Sequence, residues 1–208
     1  MLVESVMTRG VITTEFSRSV QSAARLMRDG HFRHLPVVSC GRLVGIVSDR
    51  DLTAGRERRT VGEVMRTDII CVAPDTPIEV AARLMLENKI GALPVVENGK
   101  HEPSGIVTQS DLFAVLARLL GGEGPSTRLE LCLSDPNRQL SEVTALAHER
   151  HVPITSLVTM PASSHEKTRR VVLRVGTIIA APFVTALRQA GIDVDLPEKP
   201  LSTAAPDV

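Results

Sequence analysis

The octet Gly45-Ile46-Val47-Ser48-Asp49-Arg50-Asp51-Leu52 returns 60 residues later as Gly105-Ile106-Val107-Thr108-Gln109-Ser110-Asp111-Leu112. Each copy reads as the apolar end of a strand, a hydroxyl residue, two further residues, an aspartate and the apolar start of a helix. Other blocks recur in the same order at an offset of 58. Val6-Met7 is matched by Val64-Met65, Ala23-Ala24-Arg25-Leu26-Met27 by Ala81-Ala82-Arg83-Leu84-Met85, and Leu35-Pro36-Val37-Val38 by Leu93-Pro94-Val95-Val96. Two extra residues enter the second copy inside the hairpin-like stretch 97–104, where turns tolerate insertion. Residues 3–118 are therefore two copies of one unit, and a repeat of this kind governs the fold.

Within each copy the pattern predicts strand, helix, strand, strand, helix. Extended pieces are expected at Gly10-Val11-Ile12-Thr13 and Asp68-Ile69-Ile70-Cys71. Thr76 is the expected N-cap of the second copy's first helix, with Pro77 at its first position and Glu79 completing the box. Ser17 or Ser19 takes that role in the first copy. Apolar residues then recur at helical spacing, at Val20, Ala23, Ala24 and Met27 and at Ile78, Ala81, Ala82 and Met85. Strands follow at 35–38 and 43–47, joined by a Cys40-Gly41 turn. A final helix is expected after Ser48 and after Thr108. The Arg56-Glu57-Arg58-Arg59 run reads as a solvated link between the copies.

These doubled marks, Leu-Pro-Val-Val and Gly-Ile-Val-Ser/Thr-x-x-Asp-Leu, resemble CBS domains, and the pair resembles a Bateman module. The expected boundaries are 1–60 for the first repeat and 61–120 for the second. A flexible linker of Gly and Pro follows at 121–127. Residues 128–196 change character. Leu129, Leu131 and Leu133 alternate as in a half-buried strand, and Leu140, Val143, Leu146 and Ala147 form a helical stripe. Further strands are expected at 152–160, 170–177 and 192–194, with a polar loop at 161–167. A second helix opens at Pro182 and closes at Gly191. The order βαββαβ is ferredoxin-like. The whole is thus an α/β (α+β) chain, with residues 197–208 as a loose tail. The second part resembles an ACT domain. It departs from that family at Asp135-Pro136-Asn137-Arg138-Gln139-Leu140, which lacks the glycine of the amino-acid-binding turn, so an amino-acid site does not follow. Two CBS repeats ahead of an ACT-like domain resemble the acetoin-utilisation AcuB family in layout.

Composition narrows the function. Twenty-four basic residues balance 24 acidic ones, and Trp and Tyr are absent. A neutral chain without stacking aromatics is a poor nucleic-acid binder. Three scattered cysteines form neither a zinc pattern nor a disulfide framework and suit a reducing cytoplasm. Cys71 and Cys132 lie in apolar, strand-like settings and read as core residues. The start of the chain is no signal peptide, and the apolar run at 175–187 is too short to span a membrane. His31-x-x-His34 and His148-x-x-His151 lack the further ligands that complete a metal site. No nucleophile has a base and orienting group at readable spacing, so no enzyme activity is expected.

An adenosine ligand has a ribose diol that a carboxylate can hold through charge-assisted hydrogen bonds. Its phosphate would suit a helix start and a cation. Asp51 and Asp111 meet the first need, Ser48, Thr108 and Arg50 the second. Aliphatic residues at 11–13 and 34–36 can sandwich the base. The CBS resemblance implies Thr13, His34, Leu35, Pro36, Ser48, Arg50 and Asp51 as nucleotide-binding residues in the first repeat. In the second it implies Ile70, Ala92, Leu93, Pro94, Thr108 and Asp111. There Gln109-Ser110 replaces Asp49-Arg50, and the phosphate cation is lost. The same Ser/Thr-x-x-Asp pattern is also a capping box, in which Ser48 and Asp51 do no more than close a helix end. The expected protein is a cytoplasmic regulator with no required cofactor. An adenine nucleotide is its regulatory ligand, homodimerisation is expected, and an enzyme is a candidate partner. The alternative is a structural oligomerisation module without a small-molecule ligand.

Overall fold

A computed structural model describes residues 1–53, 59–97, 99–121, 124–160 and 168–195. Most of the 56–59 charge run, the loop at 161–167 and the tail at 197–208 lie outside these residues. The chain divides into two compact units, Met1–Val115 and Leu116–Val208.

In the first unit the strands are β1 (Thr8–Arg9), β2 (Thr14–Glu15), β3 (His34–Ser39), β4 (Arg42–Ser48), β5 (Ala92–Val96) and β6 (Pro103–Thr108). The helices are α1 (Val20–Gly30), α2 (Ile78–Asn88) and α3 (Gln109–Leu119), the last running across the division between units. The apolar positions of the repeated helices face inward. Val20, Ala23 and Met27 are buried on α1, and Ala81 and Met85 on α2. Ser19 caps α1 by accepting the Ser22 N–H at 3.3 Å. α2 begins one residue later than expected, with Pro77 as N-cap. Thr76 instead closes the preceding turn, its Oγ1 accepting the Ala73 N–H at 3.0 Å. Both helices end on a left-handed residue, His31 at φ 54° and Lys89 at φ 53°. The β3–β4 hairpin turns through Cys40 and Gly41, both at positive φ, the geometry that matches strand twist. Each hairpin carries a register shift at the same place, Val37/Val38 and Val95/Val96.

The extended pieces at 10–13 and 68–71 are not strands. Pairing starts just after them, where Thr14 aligns in parallel with Val37 and Val72 with Val95. The final helix of the first repeat is also absent from the described residues. Residues 49–52 form turns held by the Asp51 N–H on the Ser48 carbonyl, 3.0 Å, and the Thr53 N–H on that of Arg50, 3.4 Å. Over these described residues the first copy carries Leu52 as its one apolar side chain, whereas the second continues past Leu112 through Phe113-Ala114-Val115-Leu116.

The first residues of each copy complete the other copy. β1 pairs with β6 of the second repeat through Thr8↔Ile106 and Arg9↔Gly105. Arg66 bridges to Ile46 on β4 of the first. The 3₁₀ turn Val3–Ser5 donates the Val3 N–H to the Thr76 carbonyl at 2.9 Å. Its counterpart Val61–Glu63 donates the Val61 N–H to the Arg18 carbonyl at 2.8 Å. Val3 and Met7 accordingly pack with Val72, Ala81, Met85 and Leu93. Val61 packs with Val20, Ala23, Leu35 and Val47. Glycine is required where these segments cross. A Cβ on Gly105 would stand 2.8 Å from the Thr8 carbonyl oxygen, and one on Gly45 would fall inside the Met65 thioether.

The second unit contains β7 (Thr127–Leu133), α4 (Pro136–Glu149), β8 (Ile154–Thr159), β9 (Arg169–Val175), α5 (Ala181–Gln189) and β10 (Asp193–Asp195). Its antiparallel sheet has the order β10-β7-β9-β8. Leu129, Leu131 and Leu133 alternate into a core with Val171, Leu173, Val175, Val143, Phe183 and Leu187. That alternation puts Cys132 on the opposite, half-exposed face, and Cys71 is exposed, so neither is a core residue. Asp135 caps α4, and the buried Gln139 fills the β7–α4 turn by accepting the Asp135 N–H at 2.9 Å.

Candidate functional site

The hairpins place the octets. Register sets His34 opposite Ser48 and Ala92 opposite Thr108. The next residues are tied in the same way, with the Asp49 N–H on the Arg33 carbonyl at 2.9 Å and the Gln109 N–H on that of Gly91 at 3.0 Å. Each aspartate then folds back on its hydroxyl residue. Asp51 Oδ2 accepts the Ser48 N–H at 2.9 Å and its Oγ–H at 2.6 Å. Asp111 Oδ2 accepts the Thr108 N–H and Oγ1–H, both at 2.7 Å. At the start of α3 the Asp111 N–H also meets Thr108 Oγ1 at 3.4 Å, which completes a capping box, whereas the Asp51 N–H goes to the Ser48 carbonyl, so Ser48 and Asp51 make the carboxylate half of that box. A carboxylate has about four lone-pair directions, so these bonds on one oxygen are compatible with a ligand diol.

Two clefts open beside the boxes. The first, about 660 Å³, is lined by His34, Ser48, Arg50, Asp51, Ile70, Ala92 and Pro94 among the expected residues. The second, about 690 Å³, is lined by His34, Thr108 and Asp111. Both volumes suit a nucleotide-sized ligand. Four expected residues line neither cleft. Leu35 and Leu93 are fully buried in the two cores, Pro36 is buried beside Leu35, and Thr13 is half-buried. Strand alternation explains the leucines, whose side chains face the helices.

The apolar walls are also exchanged relative to expectation. Val11 and Ile12 line the cleft of Asp111, while Ile69 and Ile70 line that of Asp51. The crossed start segments cause this, because β1 runs along β6 and Arg66 lies along β4. Three cations at the first cleft were not singled out by the sequence pattern: Arg33, Arg66 and Lys89. Arg66 Nε stands 4.0 Å from Asp51 Oδ1. Lys89 is the left-handed residue ending α2, and a repeat alignment sets it against His31, which lines the other cleft.

His34 belongs to both clefts and owes its space to Gly91, where a Cβ would come within 3.0 Å of the imidazole. Burial lowers its pKa below the ordinary 6.5, opposed by Asp49 and Asp51 and assisted by Arg33 and Arg50. The folded protein thus resists protonating His34 more than the unfolded chain does. Its contribution is complete above pH 6.5 and is lost as pH falls through the lower folded value. Acidification from pH 7 to pH 5 is expected to destabilise the parent more than His34→Gln, measured by urea unfolding; equal losses would contradict this assignment.

The sequence pattern described as "CBS domain" matches residues 3–56 and 61–118. Among solved structures, the CBS domain pair of protein MJ0100, in complex with 5′-methylthioadenosine and S-adenosyl-L-methionine, is 28% identical with a TM-score of 0.54. It covers 59% of this chain and 98% of that one. A Vibrio cholerae protein described as an acetoin utilization protein (AcuB) is 35% identical with a TM-score of 0.52, covering 60% and 98%. CBSX2 in complex with AMP is 31% identical with a TM-score of 0.51, covering 55% and 95%. The matched stretch spans 81% of YhcV from Bacillus subtilis but about a quarter of several enzymes. With both repeats matched in order over more than half its length, the chain belongs to the CBS domain family.

Proposed function

We propose that the paired repeats sense an adenine nucleotide, AMP, ADP, ATP or a related adenosyl ligand. Occupancy is relayed to the second unit or to a regulated partner enzyme. The observation that carries this reading is the Ser48–Asp51 box opening on a cleft walled by Ile70, Ala92 and Pro94 and rimmed by Arg50 and Arg66. Carboxylate, apolar wall and cation are the three groups that ribose, adenine and phosphate require. The similar MJ0100 and CBSX2 pairs, in complex with adenosyl ligands, support it. The second unit we read as an ACT-like domain, on its βαββαβ order and its central β7 and β9. The protein acts as a regulator rather than an enzyme, works in the cytoplasm and needs no cofactor. No described helix is long and apolar enough to cross a membrane.

The cap geometry at Asp51 and Asp111 favours a second reading, a structural module that uses these carboxylates only to hold turns. A thermal-shift screen separates the two. Adenine nucleotides raise the melting temperature of a sensor in a concentration-dependent way and leave a structural module unchanged. Under either reading we expect a homodimer, since α3 leaves Phe113 and Leu116 exposed at 68% and 50%. Light scattering at micromolar concentration should give twice the chain mass, and a monomer would contradict it.

A further inference from the structure

The two clefts come from one repeated unit but differ in charge. Arg50, Arg66 and Lys89 line only the first. Arg33 lines both, and among the described residues it is the only Lys or Arg at the second. Among the described residues, four Lys or Arg line the first cleft with Asp49, Asp51 and Asp68, and one lines the second with Asp111. At the position of Arg50 the second repeat has Ser110, which lines its cleft. Both clefts have apolar walls, which in the second are Val11, Ile12, Phe32 and Ile106.

We propose that the clefts take different classes of adenosyl ligand: the first a nucleotide carrying phosphate, the second a nucleoside without it. The proposal rests on the adenine-nucleotide reading above and extends it to the second cleft. A phosphate brings nearly two negative charges out of water and needs cations to replace its hydration. The first cleft supplies them. Among the described residues the second is lined by Arg33 alone, a guanidinium it shares with the first, so a phosphate that engages Arg33 in the first cleft leaves no other described Lys or Arg for the second. A ribose without phosphate asks only for the Asp111 carboxylate and an apolar wall, and both are there.

Calorimetric titration of the full chain tests this. AMP is expected to bind at one site per chain, and adenosine is expected to bind the AMP-saturated protein at a second. Asp111→Asn should abolish the adenosine event and spare the AMP event. Ser110→Arg should add a second AMP site, with a gain of about tenfold or more from the restored charge-assisted bond. Two AMP sites of affinity within about threefold of each other in the parent would overturn the division between clefts and leave nucleotide sensing intact. Failure of both AMP and adenosine to bind would overturn the sensing reading itself, and the division with it.

Discussion

Val3→Asp is expected to unfold the second repeat before the first, although Val3 opens the first copy in sequence. Val3 is fully buried among Val72, Ala81, Met85 and Leu93. The segment is tied there by the Val3 N–H on the Thr76 carbonyl, the Glu4 N–H on that of Pro74 and the Ile78 N–H on that of Met1, at 2.9–3.1 Å. An unpaired carboxylate in that core costs about 3–5 kcal/mol, a large share of the stability of a domain. Hydrogen exchange should therefore show lost protection in α2, β5 and β6, with α1, β3 and β4 affected less. Val61→Asp should give the mirror result, because Val61 packs with Val20, Leu35 and Val47. Loss centred on α1 and β3 in Val3→Asp would show that each copy folds on its own first residues.

That exchange marks how far the sequence could be read. The repeat itself, the helical stripes and the β3–β4 hairpin were legible because each rests on local periodicity and turn chemistry. The match of Val6-Met7 to Val64-Met65 showed that the start segments are equivalent, but no local rule says which copy an equivalent segment covers. The exchange of Val11 and Ile12 with Ile69 and Ile70 follows from that one gap, since Val11 and Ile12 travel with β1, and Ile69 and Ile70 with Arg66. Leu35 and Leu93 were drawn into the site by their place beside His34 and Ala92, and strand alternation turns them into the core. Arg33 and Lys89 reach the cleft from a strand edge and a helix end in different repeats, so their proximity is a tertiary fact. The βαββαβ order of the second unit was legible from alternation at Leu129, Leu131 and Leu133, from the stripe Leu140, Val143, Leu146 and Ala147, and from Pro182 and Gly191.

Asp51→Ala is expected to weaken AMP by about 1.5–3 kcal/mol, the size of a hydrogen bond to a charged group, or roughly 10–150-fold. It should also cost about 1 kcal/mol of stability, because the Ser48 N–H and Oγ–H both lose their acceptor. The two effects have one origin in the alanine variant and must be separated. Asp51→Asn does so. Its amide oxygen still accepts the Ser48 N–H, so the turn is held, while the charge that strengthens a bond to the ribose diol is gone. Arg50→Ala supplies a second check, weakening AMP far more than adenosine, since only AMP presents a phosphate.

The most direct measurement is a calorimetric titration of the parent and of Asp51→Asn with AMP, each beside a urea unfolding curve. Nucleotide sensing at Asp51 predicts saturable AMP binding by the parent, a loss of about tenfold or more in Asp51→Asn, and nearly unchanged unfolding. AMP binding that is equal in the two proteins would show Asp51 to be a turn cap and nothing more.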